Sequence, residues 1–198
     1  MKYIKLLSLL FITTISCLFA SCEETAEVEE YANWEERNIA FIDSIAQVAN
    51  ANADGKWMRI LSYKLNDTDK EGNSVEWDTD DYIYCHMEAE GTGTQHPLFT
   101  DTVKVNYRGR LIPSLSYPQG KVFDESYKGT FDPTINKPAT FIVSSVIAGW
   151  GTALTHMTEG DNWRVYIPAT LGYGSKEQTS IPAYSTLIFD INLAKIGN

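Results

Sequence analysis

Two rhythms of apolar residues divide this chain: a helical spacing in residues 34–49 and a strand spacing through most of the stretch from residue 82 onward. Phe41, Ile42, Ile45, Val48 and Ala49 fall at i, i+1, i+4, i+7 and i+8, a single stripe on a helix predicted over 34–49. The turn-forming run 50–55 ends it. Trp57, Leu61, Tyr63 and Leu65 set against Arg59, Ser62 and Lys64 predict a strand over 57–65, and the polar, acidic stretch 66–81 predicts a loop. A strand is predicted over 82–87. Val103, Val105 and Tyr107, then Trp163, Val165 and Ile167, then Leu187, Phe189, Ile191 and Leu193 recur at period two. Between them, Trp150, Ala153, Leu154 and Met157 sit at i, i+3, i+4 and i+7 of one short helix, with Gly160 placed to close it in a left-handed cap. An antiparallel sheet wrapping a short helix is an α+β architecture. Residues 34–81 then form a helix-plus-strand appendage whose first role is packing.

The apolar run from Leu6 to Leu18 obeys neither rhythm. Preceded by Lys2 and Lys5, it reads as a secretory signal over residues 1–21, too short to span a bilayer. An ordinary cleaved signal accounts for that run equally well, but Phe19-Ala20-Ser21-Cys22 resembles the lipobox of bacterial lipoproteins. That resemblance implies acylation of Cys22 and a membrane held through the lipid anchor. The location implied is the bacterial cell envelope, at the outer membrane, on its periplasmic or surface face. Glu23, Glu24, Glu27, Glu29 and Glu30 make residues 22–33 an acidic tether.

Composition narrows the partners. With 43% hydrophobic and 12% aromatic residues, the 198-residue chain can bury a real core of one domain plus an appendage. The formal charge of −10 excludes nucleic acid as the partner, because a polyphosphate demands a basic face. Cys17 leaves with the signal and Cys22 is assigned to the lipid, so Cys85 has no internal disulfide partner and reads as a small buried hydrophobe. His86, His96 and His156 lack metal-ligand spacing, and Asp78, Asp80 and Asp81 lack that of a calcium loop, so no metal is expected.

From residue 82 to 198 a set of spaced motifs carries a family resemblance. Glu90-Gly91-Thr92-Gly93 opens it. Val103-Lys104-Val105-Asn106-Tyr107-Arg108-Gly109 follows, then Val122-Phe123-Asp124-Glu125-Ser126. Phe141 precedes Val146-Ile147-Ala148-Gly149-Trp150, which continues through Ala153, Leu154, Met157 and Gly160. Ile167-Pro168, Leu171-Gly172-Tyr173-Gly174, Ile181-Pro182 and Ser185-Thr186-Leu187-Ile188-Phe189-Asp190 complete the order. This half resembles the FKBP-type peptidyl-prolyl isomerases. The resemblance implies a twisted antiparallel sheet of five or six strands around the short helix, with an apolar pocket between them. Trp150 would form the floor, with Tyr107, Phe123, Val146, Ile147 and Phe189 as walls. Asp124, Tyr173 and Ile181 would stand at the rim, where the Tyr173 hydroxyl and the Ile181 backbone N–H would donate to substrate carbonyls.

The implied substrates are proline-containing segments of exported polypeptides, and the pocket is also expected to take macrolide immunosuppressants. A dry aromatic pocket favours the twisted prolyl amide, which has lost resonance and polarity. No cofactor is required. A second function class uses the same pocket without turnover, as a peptide-binding module on the envelope. Three departures from the family pattern bear on that choice. The stretch 112–122 is longer than the family's turn, Ala139 stands where many members carry an aromatic, and the loop 175–180 is polar.

Overall fold

The computed structural model describes residues 29–197; the signal segment, Cys22 and most of the acidic tether lie outside them. Helix α1 spans Trp34–Ala51, bounded by Asn33 and Asn52 in left-handed conformations that asparagine tolerates well. Strands β1 (Trp57–Leu61), β2 (Tyr82–Ala89), β3 (Thr102–Arg110), β4 (Val122–Glu125) and β5 (Ala139–Ile142) follow. The short helix α2 (Ala148–Leu154) precedes β6 (Asn162–Ile167) and β7 (Leu187–Ile196). All seven strands pair antiparallel in one sheet, in the order β1-β2-β6-β7-β3-β4, with β5 also beside β3.

Alternation along β2 assigns each face of the sheet. Ile83 and Cys85 point to the α2 side, where Val105, Leu154, Val165 and Ile191 join them with no exposed surface. Tyr84 points the other way, beneath α1 with Ile42, Ala46 and Ala49. Each helix therefore covers one face. Helix α2 is buried along its whole length, and Gly149 lets it come close: a Cβ there would lie 2.4 Å from Ile167 Cγ2. Burial pushes the Cys85 thiol pKa up, which keeps it an inert core group, as its sequence setting implied.

Several sequence expectations shift. The buried stripe of α1 runs through Trp34, Asn38, Ile42, Ala46 and Ala49, while Val48 is 48% exposed. The helix is rotated because Asn38, a polar residue, takes a buried position, where its Oδ1 accepts the Thr186 N–H and its Nδ2 donates to Trp34 O. Strand β1 stops at Leu61 rather than at 65. Ser62 donates its N–H to Asp81 O, and Tyr63 leaves the strand to donate its own to Thr152 Oγ1 on α2. Helix α2 ends at Leu154, so Gly160 does not cap it. Gly160 adopts a positive φ of 96° in the turn before β6, against Gly91. The carboxylates of Asp78, Asp80 and Asp81 converge within 4.8 Å, but Asp78 and Asp81 cap each other's backbone in a short 3₁₀ turn.

Candidate active site

The third strand supplies the centre of the site. On β3, Tyr107 and Gly109 lie two residues apart and face the same way. Gly109 stands opposite Phe189 on β7 and opposite Asp124 on β4. A bulge follows immediately: Arg110 pairs with Val122, which leaves Phe123 without a cross-strand partner. Such an extra residue re-aims side chains. Here it lets two successive residues serve one region, Phe123 against Phe189 at a ring separation of 5.4 Å and Asp124 at the cavity. Ser126 then ties the strand end down, exchanging bonds of 2.9 Å with the Tyr107 backbone through its own N–H and its Oγ.

A cavity of about 300 Å³ opens between this part of the sheet and α2, lined by Tyr107, Asp124, Phe141, Ser145, Val146, Ile147, Trp150, Tyr173 and Phe189. Trp150 is its floor, only 4% exposed. Its indole meets Tyr107, Phe141 and Phe189 edge-to-face at 5.2, 5.3 and 5.2 Å. Such arrangements are favoured by the ring quadrupoles and hold each ring in place. The Trp150 N–H has no partner among the described residues. Tyr173 stands at the rim, 40% exposed.

One polar contact organises the wall. The Tyr107 hydroxyl donates to Asp124 Oδ2 at 2.8 Å. Burial, then this bond, raises the Tyr107 pKa above the ordinary phenol value of 10.0, so the phenol stays neutral and donating at neutral pH. Tyr84, buried beneath α1, is pushed up to about 12. A tyrosine whose folded pKa is raised contributes stability below its unfolded value and loses it as pH climbs toward the folded one. Denaturant midpoints measured from pH 7 to 12 are therefore expected to fall above about pH 10. Tyr107→Phe should flatten part of that fall while costing about 1 kcal/mol at pH 7. An unchanged alkaline slope would place Tyr107 elsewhere.

Of the residues singled out from sequence, the structure gathers Tyr107, Asp124, Val146, Ile147, Trp150, Tyr173 and Phe189 around one cavity. Phe123 stands behind Phe189 rather than in the lining. Ile181 is a correction. Its side chain is buried outside the lining, and its N–H already donates to Gln178 O at 3.2 Å within the loop. Phe141 and Ser145 also line the cavity; the sequence marks Phe141 only as a spaced motif position, and nothing in it singles out Ser145. Ala139 opens β5 opposite Val105 and stays out of the lining, two residues before Phe141.

Fold and cavity together define an α+β domain with one aromatic cavity floored by a tryptophan. Residues 93–194 match the family described as FKBP-type peptidyl-prolyl cis-trans isomerase, and the chain belongs to that family. Similar proteins include the peptidyl-prolyl cis-trans isomerase Mip of Coxiella burnetii, 43% identical over 103 residues, which are 52% of this chain and 40% of that protein. The outer membrane protein MIP of Legionella longbeachae is 43% identical over 107 residues, 54% of this chain and 40% of its own. The match thus spans well under half the length of these curated relatives. A crystal structure of a peptidyl-prolyl cis-trans isomerase from Pseudomonas syringae pv. tomato covers 82% of this chain and 96% of its own. It superposes with a TM-score of 0.54 at 26% identity.

Proposed function

We propose that this chain catalyses cis-trans isomerisation of X-Pro peptide bonds in polypeptides of the bacterial envelope, by non-covalent stabilisation of the twisted amide. The observation that carries this reading is the cavity itself: five aromatic side chains, Tyr107, Phe141, Trp150, Tyr173 and Phe189, around a space of about 300 Å³. Prolyl isomerisation faces a barrier of about 20 kcal/mol and takes tens of seconds or longer unaided. No bond is cleaved and no proton is transferred. The twisted amide carries a less polar carbonyl than the planar one, so transfer from water into an apolar enclosure favours it differentially. A thousandfold acceleration requires only about 4 kcal/mol of such preference.

Each residue has a role in that scheme. The Trp150 face takes the pyrrolidine ring, with Val146, Ile147 and Phe189 around it. Asp124, oriented by the Tyr107 hydroxyl, polarises the wall beside the turning amide, and the Tyr173 hydroxyl donates to a substrate carbonyl. Phe123 supports Phe189 from behind. The Ile181 N–H serves a substrate only by releasing Gln178 O, which makes it a weaker donor than the resemblance implied. The same enclosure accounts for the expected macrolide binding.

The test is an X-Pro peptide assay with the full chain in detergent, varying the residue before proline. The rate is expected to rise in proportion to protein concentration. A well-folded protein that accelerates none of the peptides would leave a peptide-binding module as the function.

No helix among the described residues is long and apolar enough to cross a membrane. Attachment is assigned to acylation of Cys22, on the strength of the lipobox-like run. The proposal places the protein at the outer membrane, in keeping with the name of the Legionella relative. Cys22→Ala should abolish fatty-acid labelling and free the protein from the membrane fraction. Labelling that survives the substitution would rule the anchor out.

A further inference from the structure

Helix α1 reaches the far side of the site through buried polar bonds rather than through apolar contact alone. Asn38, 2% exposed, accepts the Thr186 N–H on its Oδ1 at 2.7 Å and donates its Nδ2–H to Trp34 O at 2.6 Å. The Trp34 indole N–H donates to Ser185 Oγ at 2.8 Å, and that hydroxyl donates on to Pro182 O at 2.6 Å. Thr186 Oγ1 reaches Asn38 O at 3.4 Å. A buried asparagine in a helix stripe is costly unless it is satisfied. Here its amide oxygen is satisfied by Thr186 and its amide N–H by Trp34 O, so α1 is bonded to residues 185–186, which lead straight into β7 and the cavity wall Phe189.

The segment it holds closes the loop that rims the cavity. Tyr173 lines the cavity, and the next residue, Gly174, accepts the Tyr184 N–H at 2.8 Å, so the loop's two ends meet there. Tyr184 has φ +60°, a left-handed conformation that a bulky side chain adopts only when its surroundings impose it. On one side of Tyr184 lies its own bond to Gly174. On the other lie the bonds from Ser185 and Thr186 to α1. Removing the α1 bonds frees the second side and lets the strained residue relax. The same end of the helix and the residues just before it also touch the long stretch between β3 and β4, where Arg37 donates to Pro113 O and the Ser116 N–H approaches Glu30. The segment before β1 thus bonds to the long stretch 112–122 and to residues 185–186, which follow the loop that carries the polar run 175–180.

We propose that Trp34 and Asn38 are positioning residues for the prolyl site, fixing the rim loop from Tyr173 to Tyr184 through Ser185 and Thr186 and so setting how tightly X-Pro peptides are held. This rests on the isomerase reading above. The side chains touch no substrate; they act through the loop.

The experiment compares the full chain with its Asn38→Leu variant, which keeps the branched shape and removes the side-chain polar bonds. Ser185→Ala serves as a milder second variant. Cys85→Ala, which trims the core on β2, controls for general destabilisation. Two readouts are taken from each folded protein: KM and kcat for an X-Pro peptide, and the rate of tryptic cleavage after Lys176. Lys176 is exposed and is the only lysine or arginine between Arg164 and Lys195, so cleavage there reports the loop.

Asn38→Leu is expected to raise KM about tenfold with kcat little changed, and to speed cleavage after Lys176 by at least as much, matching the loss of about one buried polar bond. Ser185→Ala should move both readouts the same way by a smaller factor, and it decides the matter if Asn38→Leu does not fold. Cys85→Ala should move neither. Unchanged KM and cleavage in the folded α1 variants, or equal changes in Cys85→Ala, would overturn the proposal. A wild-type chain that turns over no peptide would refute the isomerase reading instead, and cleavage after Lys176 would still decide whether α1 holds the loop.

Discussion

Trp150→Ala is expected to bring X-Pro turnover to background and to cost the fold about 3–5 kcal/mol. The first effect follows from geometry. The indole is the cavity floor and contacts three of its aromatic walls edge-to-face, so its removal erases the surface on which a proline ring would lie and leaves Tyr107, Phe141 and Phe189 without a common partner. The second follows from burial. Trp150 sits on a helix with no exposed side, so neighbouring groups cannot collapse fully into the space left. Denaturant unfolding measures the one and the peptide assay the other. Trp150→Phe separates them, since a smaller ring restores much of the packing while still leaving the floor incomplete. A folded Trp150→Ala protein with wild-type turnover would remove Trp150 from the site.

Gly109→Ala should damage the site by filling it from behind. A Cβ at Gly109 would lie 2.5 Å from Phe189 Cε1 and 2.6 Å from both Phe123 Cε2 and Cζ, distances at which something must move. The groups that must move are the two rings that shape the wall. Overpacking of this kind costs about 1–3 kcal/mol. Turnover is expected to fall at least tenfold, because the Phe189 ring can yield only toward the cavity or against Trp150 at 5.2 Å. Adding Phe123→Leu should recover part of both losses, since the two substitutions share one space and do not act independently. If Gly109→Ala matched wild type in stability and turnover, the close approach of these rings to β3 would be wrong.

What the sequence revealed and what it hid divide along a physical line. Strands β3, β6 and β7 were legible because each buries alternate residues on the α2 face, and a period of two survives without knowledge of any partner. The cavity residues were legible only as an ordered set; singly, Trp150 or Phe189 is indistinguishable from a core aromatic. The stripe of α1 was misread because its buried polar member, Asn38, is satisfied by a backbone N–H 148 residues away. The early stop of β1 has the same kind of cause, since Tyr63 leaves the strand for a hydroxyl on α2. The bulge that presents Phe123 and Asp124 together depends on register between β3 and β4, which hydrophobic pattern does not encode. Ile181 was misplaced because a backbone N–H has no signature in sequence, and whether it is free depends on how the loop closes.

The bonds between α1 and residues 185–186 also bear on how the molecule is assembled. They join positions 148 and 151 residues apart, so helix α1 leaves a ribosome or a translocation channel long before the partners it bonds to. Closing so long a loop is slow, and contacts this distant in sequence form late in folding. Until then Asn38 stays solvated, Tyr184 is free to leave its left-handed conformation, and the rim beside Tyr173 has no fixed shape. The cavity beside Trp150 is therefore expected to take its final shape only in the closing step of folding, after the sheet and α2 have already formed.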